Sequence, residues 1–244
     1  SAQFYNGTTN TGEDWLFSRC FHLDAGQTYS ISFWYRVYGA TYPQTITLKY
    51  GTAASIAGMT TTLVSLPNIT NATYNDTVKQ FVAPATGTYY FGWSGTVGAT
   101  YYAYIDDINI TWIPDQEAAL LSIVSPASGC GLSNAEPVTL QIKNTGADTI
   151  QGNFTGHYVF NNGSSVSQTI PNTILPGDTI DFTFTQTVDV SVLNTDVIFP
   201  IKAWVSLIGD PLHANDTLNK QINSQHVPAA PVTVNDTVTF GTPA

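Results

Sequence analysis

The chain has 244 residues, only 10 % of them charged, and seven cations against seventeen anions give a net charge of −10. That balance repels phosphate backbones and anionic lipid, and with no Lys/Arg cluster it argues against nucleic-acid binding. No apolar run reaches the roughly 18 residues of a membrane-spanning helix, so no membrane insertion is expected.

Aromatics at 12 %, with abundant Thr, Val, Ile and Tyr and few Lys or Glu, point to an all-β protein. The first strand signal with a clear pattern is "QTYSISFWYRVY" (27–38). Tyr29, Ile31, Phe33, Tyr35 and Val37 face one way; Ser30, Ser32, Trp34, Arg36 and Tyr38 face the other. Aromatics on both faces predict cover on both sides, and Trp34 and Trp93 are both expected in the core. "QTITLKYGT" (44–52), "TVKQFVAP" (77–84), "GTYYFGWSG" (87–95) and "YYAYIDDINITWI" (101–113) continue the pattern. "AASIAGMTTTLVSL" (53–66) allows one short helical turn. Residues 1–114 therefore read as one antiparallel sandwich.

"PDQE" (114–117) reads as a linker, and seven short strands follow in residues 115–224, the count and size of an immunoglobulin-like sandwich. "NNG" (161–163) predicts a hairpin turn, because Asn and Gly tolerate positive φ. Residues 225–244 read as a Pro-rich linker and the start of a further domain. The chain opens on "SAQFYNG" without Met, which reads as a mature fragment.

"EDWLFSRCFHLDAGQTYSISFWYR" (13–36) and "GTYYFGWSGTVGATYYAYIDDINI" (87–110) resemble the choice-of-anchor J or cleaved-adhesin type domain. The resemblance implies a jelly roll, related in shape to MAM and carbohydrate-binding domains, from large secreted and surface proteins of Bacteroidetes. That family carries Pro where this chain has Arg19, and a longer stretch before Trp15. "IVSPASGCGLSNAEPVTLQIKNTGADTI" (123–150), "ILPGDTIDFTF" (174–184) and "LIGDPLHANDTLN" (207–219) resemble a CARDB-like immunoglobulin-type domain. Both resemblances imply a secreted or cell-surface location and other domains of the same polypeptide as neighbours. They mark fold more sharply than function.

Asp106 and Asp107 form an acidic pair inside a strand whose nearest cation in sequence is Lys79. A solvated edge, a metal site and an acid/base pair compete as explanations. Adjacent strand residues point to opposite faces, so the two cannot form a catalytic dyad alone. A structural Ca²⁺ would offset the desolvation of buried carboxylates. The jelly-roll resemblance also implies calcium, with Asp106 or Asp107 as a ligand. Glu13 and Asp14 are the other acidic pair in this half, and nothing in their spacing ties them to the first.

Tyr42, Tyr101 and Tyr102 fall at loop–strand junctions, where exposed rings stack on sugars or pack between domains. His22, His157, His213 and His226 show neither H-x-x-x-H nor H-E-x-x-H spacing, so no zinc site is expected. Cys20 and Cys130 leave open a disulfide or, more simply, two separate buried thiols. No G-x-S-x-G or phosphate loop occurs. Nine N-x-S/T sequons are explained by composition. Asp-Thr-apolar triplets at Asp76, Asp148, Asp178, Asp216 and Asp236 resemble a Bacteroidetes O-glycosylation sequence, and turn chemistry explains Asp178 and Asp216 as well.

The expected function is a non-catalytic extracellular adhesion or recognition region binding a glycan or an extracellular protein. The alternative is an ancillary C-terminal region of a secreted hydrolase, a protease or a glycosidase, whose catalytic domain lies upstream.

Overall fold

The structure, a computed structural model, describes residues 2–4, 14–96 and 101–227. The expected opening of a further domain, and Glu13, lie outside the described residues. The chain folds as two compact units: Ser1–Glu117 with Thr145–Asp148, and Ala118–Asn144 with Thr149–Ala244.

The first unit contains β1 (Ala2–Phe4), β2 (Asp14–Phe17), β3 (Phe21–Leu23), β4 (Thr28–Val37) and β5 (Gln44–Gly51). It continues with β6 (Thr61–Ile69), β7 (Asn75–Val82), β8 (Gly87–Thr96) and β9 (Ala103–Ile113). One sheet runs β1-β9-β4-β7, the other β2-β8-β5-β6, with β3 also pairing β8. Successive strands alternate between the sheets along much of the chain, which is the strand order of a jelly roll. Ile31, Phe33 and Val37 of β4 point inward and meet Ile46, Leu48, Phe91 and Trp93 of the opposite sheet. Phe33 and Trp93 pack edge to face, ring centroids 5.9 Å apart. The short helical turn is a 3₁₀ turn, Ile56–Gly58, capped by the Ser55 hydroxyl. It presses onto β5 so closely that a Cβ on Gly51 would lie 1.7 Å from the Gly58 carbonyl oxygen, so only glycine fits there.

The second unit contains β10 (Ala118–Ser125), β11 (Gly129–Cys130), β12 (Thr139–Asn144) and β13 (Phe154–Phe160). β14 (Ser165–Ile170), β15 (Thr179–Thr183), β16 (Val197–Ser206) and β17 (Thr217–Gln225) complete it. A sheet β10-β12-β15 faces a sheet β11-β17-β16-β13-β14, the immunoglobulin-like arrangement. The first edge is shared: β10 pairs antiparallel with β12, then the chain crosses and β11 runs parallel to β17. The crossover is held by Lys220 of β17. Its Nζ donates to the carbonyls of Ile123 at 2.7 Å and Pro126 at 2.9 Å. The β13–β14 hairpin turns through Asn161 and Asn162 at φ 47° and 57°, as the NNG signal predicts. The core is aliphatic and aromatic, with Leu140, Ile142, Tyr158, Ile201 and Ile222 essentially inaccessible.

Two expectations are corrected. Trp34 is not in the core but 42 % exposed, because the second sheet packs only on the face of β4 that carries Ile31, Phe33 and Val37; Trp93 is fully buried. Cys20 and Cys130 are free thiols and both are exposed rather than buried; Cys130 bonds Gln225.

Candidate functional site

The even-numbered residues of β4 stand on the outer face of the β1-β9-β4-β7 sheet. Trp34 lies directly opposite Asp76 of β7 on one side and Asp106 of β9 on the other. Directly paired residues put their Cβ atoms about 4.5–5.5 Å apart on the same face, so two carboxylates flank an exposed indole. Two residues further along, the Arg36 guanidinium lies 3.9 Å from the Tyr104 ring centroid and 5.1 Å from that of Tyr74. Cation–π contacts on two rings fix that long side chain in place. Tyr38 continues the row, its backbone N–H donating to the Tyr102 carbonyl at 2.9 Å. From Trp34 to Tyr38 the row runs roughly 13 Å at the usual strand rise.

The tyrosines expected from sequence gather at the far end of this row. Tyr42 and Tyr101 stack with centroids 3.8 Å apart, and Tyr38 stacks on Tyr101 at 5.0 Å. A side-chain hydrogen bond with Tyr42 raises the Tyr101 phenol above its ordinary value. Tyr102 leans on Tyr104 at 6.1 Å. All three tyrosines are half-buried, while Tyr38 is 56 % exposed. In the other direction Ser32, Asn109 and Gln80 extend the face with hydroxyl and amide groups. Sequence reasoning named Tyr42, Tyr101 and Tyr102 but missed Trp34, Arg36 and Tyr38. Period-two alternation put those three on one face of β4, and the signal was Ser30 and Ser32 beside them, which marks that face as wet.

Asp106 and Asp107 answer to backbone geometry. Between Ser32 and Trp34 the β4–β9 register shifts, and the bulged strand carries Asp107 at φ 47°. Asp is one of the few residues that tolerates that conformation. The Asp107 N–H donates to the Asp106 Oδ1 at 3.0 Å, and the Asp107 side chain is exposed. Calcium takes six to eight oxygens. Among the described residues the pair enters no group of three His, Cys, Asp or Glu ligand atoms.

Such a group does exist in the second unit: Asp210, His213 and Asp216, whose ligand atoms lie within 4.8 Å of one another. They sit in the loop between β16 and β17. The 3₁₀ turn His213–Asn215 carries His213, with Asp216 as its C-cap, and Asp210 lies in the loop before it. A 3₁₀ helix has three residues per turn, which brings His213 and Asp216 to one side. The Asp210-x-x-His213-x-x-Asp216 spacing was visible in sequence, but it matches neither histidine spacing sought there. Asp210 is 6 % and Asp216 7 % exposed. Asp210 accepts from the Ala118 N–H at 2.9 Å and the Leu212 N–H at 3.0 Å. His213 Nδ1 lies 3.0 Å from Asp216 Oδ2. Burial pushes the Asp216 carboxyl above its usual range; the His213 hydrogen bond opposes that and the neighbouring Asp210 adds to it.

No family model and no curated protein matches the chain. Solved structures give only distant likenesses. A GH2 β-galacturonidase from Eisenbergiella tayi is 8 % identical with a TM-score of 0.31, matching 88 % of this chain and 36 % of its own. A β-glucuronidase from Parabacteroides merdae is 10 % identical with a TM-score of 0.35, matching 89 % and 29 %. The tripod of the bacteriophage Tuc2009 baseplate is 8 % identical with a TM-score of 0.27, matching 88 % and 81 %. The chain thus spans about a third of the length of those glycosidases. Similarity at this level leaves function to be argued from the residues. No described helix is long and apolar enough to cross a membrane.

Proposed function

We propose that the chain is a non-catalytic extracellular recognition region that binds a neutral glycan on the outer face of the β1-β9-β4-β7 sheet. The observation that carries this is an exposed Trp34 flanked in register by Asp76 and Asp106, in line with Arg36 and Tyr38. The apolar C–H face of a sugar ring packs on an indole, and its hydroxyls need fixed acceptors and donors beside it. Carboxylates at Asp76 and Asp106 accept; the Arg36 guanidinium donates. The same carboxylates, on a chain of net charge −10, disfavour an acidic glycan.

The test is an array of neutral, sulfated and uronic-acid oligosaccharides probed with the full chain, followed by titration calorimetry of Trp34→Ala. The reading expects hits among neutral glycans, weakened about tenfold or more by that substitution. Hits confined to sulfated or uronic-acid glycans, or unaffected by Trp34→Ala, would refute it.

The second reading, an ancillary region of a secreted hydrolase, uses the same face, since a sugar-binding module beside a catalytic domain makes the same contacts. Reading the full gene separates the two.

A further inference from the structure

In the second unit the loop between β16 and β17 brings two buried carboxylates together with one exposed imidazole. Asp216 uses Oδ2 toward His213, yet its Oδ1 is buried with no hydrogen-bond partner. An ionised carboxylate oxygen sealed from water without a partner is costly, and a second carboxylate nearby makes it costlier. A divalent cation removes both penalties at once.

We propose that Asp210, His213 and Asp216 hold a divalent transition-metal ion, with zinc the best match. This is independent of the glycan reading. The ligand set is mixed oxygen and nitrogen, and imidazole suits zinc and its neighbours, whereas calcium and magnesium prefer oxygen alone. Zinc bonds of about 2.0–2.2 Å at tetrahedral angles put adjacent ligand atoms about 3.4 Å apart. His213 Nδ1 and Asp216 Oδ2 are 3.0 Å apart, so an opening of a few tenths of an ångström, with loss of the hydrogen-bonding proton between them, admits the ion. The Asp210 carboxylate is oriented by two backbone N–H donors, from Ala118 and Leu212, and each oxygen keeps a lone pair for the ion. The exposed His213 closes the site from the solvent side, and a water completes four-coordination. Through Asp210 the ion ties this loop to the first residue of β10.

The experiment uses the full chain, stripped with EDTA and titrated with zinc chloride by calorimetry, with thermal melting in parallel. One ion per chain and a rise in the melting midpoint are expected. His213→Ala removes the partner of Asp216 Oδ2, so the metal-free melt should fall somewhat, and it should weaken zinc by about tenfold or more and shrink the zinc-induced rise in melting midpoint. Asp216→Asn should abolish binding. No zinc uptake up to about 1 mM would overturn the proposal. So would uptake that His213→Ala leaves unchanged, which would place zinc at the exposed His–Asp pairs, His22 with Asp24 or His226 with Asp196. A calcium response equal in wild type and His213→Ala would also overturn it.

Discussion

The two units share an architecture, two packed sheets that are antiparallel apart from the β11–β17 pair, but they differ in what stands on their surfaces and in their loops. The jelly roll keeps a core of Phe33, Phe91 and Trp93 and puts Trp34, Arg36, Asp76 and Asp106 on an outer face. Both units also bury polar side chains, Gln44, Ser94 and Glu117 in the first and Asn144, Asp210, Asp216 and Ser224 in the second, and among those of the second unit Asp210 and Asp216 come together in one loop. The other two bond the backbone: Asn144 Nδ2 donates to the Ile174 carbonyl at 2.8 Å and the Ser224 hydroxyl to that of Val190 at 2.6 Å. A buried polar group is tolerated when hydrogen-bonded and then pins one arrangement of loops. The polar groups of the outer face hold one another within the sheet instead: Asp106 accepts from the Asp107 N–H and Arg36 lies over Tyr104 and Tyr74. On the reading proposed above, that face of the first unit is the platform for a ligand.

The comparison breaks most visibly at the two tryptophans. Trp93→Ala removes a fully buried ring and should cost about 3–5 kcal/mol in urea unfolding of the jelly roll. In the second unit, Lys220→Met leaves the carbonyls of Ile123 and Pro126 without their charged donor. A loss of about 2 kcal/mol is expected in the unfolding transition of that unit. Trp34→Ala should change stability by only about 0.5 kcal/mol, since its ring faces water. If Trp34→Ala unfolds the jelly roll as Trp93→Ala does, the outer face is structural and the platform reading fails.

The smallest effect concerns acid. The Glu136 carboxylate accepts from the Ser133 N–H and hydroxyl, and these bonds hold it below the usual carboxylate range. A group whose folded pKa is depressed stabilises above its unfolded value and loses that contribution as pH falls through the folded one. Glu136→Gln should therefore melt slightly below wild type at pH 7, with the gap closing below about pH 4.5. A gap that stays constant with pH would show that the hydrogen bonds, not the charge, carry the effect.

Much of the fold was legible because period-two alternation and turn residues are local. "QTYSISFWYRVY" gave β4 and both of its faces, and "NNG" gave the β13–β14 turn. What alternation cannot say is which face a neighbouring sheet covers. That depends on pairings such as Trp34 with Asp76, 42 residues away in sequence, and it is why both tryptophans were placed inside. Asp106 and Asp107 were visible as an anomaly, but the bulge that explains them lies in the register with β4, which one strand alone does not reveal. The Asp210–His213–Asp216 group escaped for a different reason. Only the His213-to-Asp216 step belongs to a 3₁₀ turn; Asp210 comes from the preceding loop, and the histidine spacings sought in sequence do not detect such a set.

The recognition claim is tested most directly by the indole N–H resonances of the five tryptophans, Trp15, Trp34, Trp93, Trp112 and Trp204. Neutral cello-, manno- and galacto-oligosaccharides would be titrated into the isotope-labelled full chain. The account predicts a saturable shift at Trp34, with the buried Trp93 and the second unit's Trp204 unmoved. Saturable binding that shifts Trp204 and leaves Trp34 in place, or no response to any neutral sugar, would contradict it.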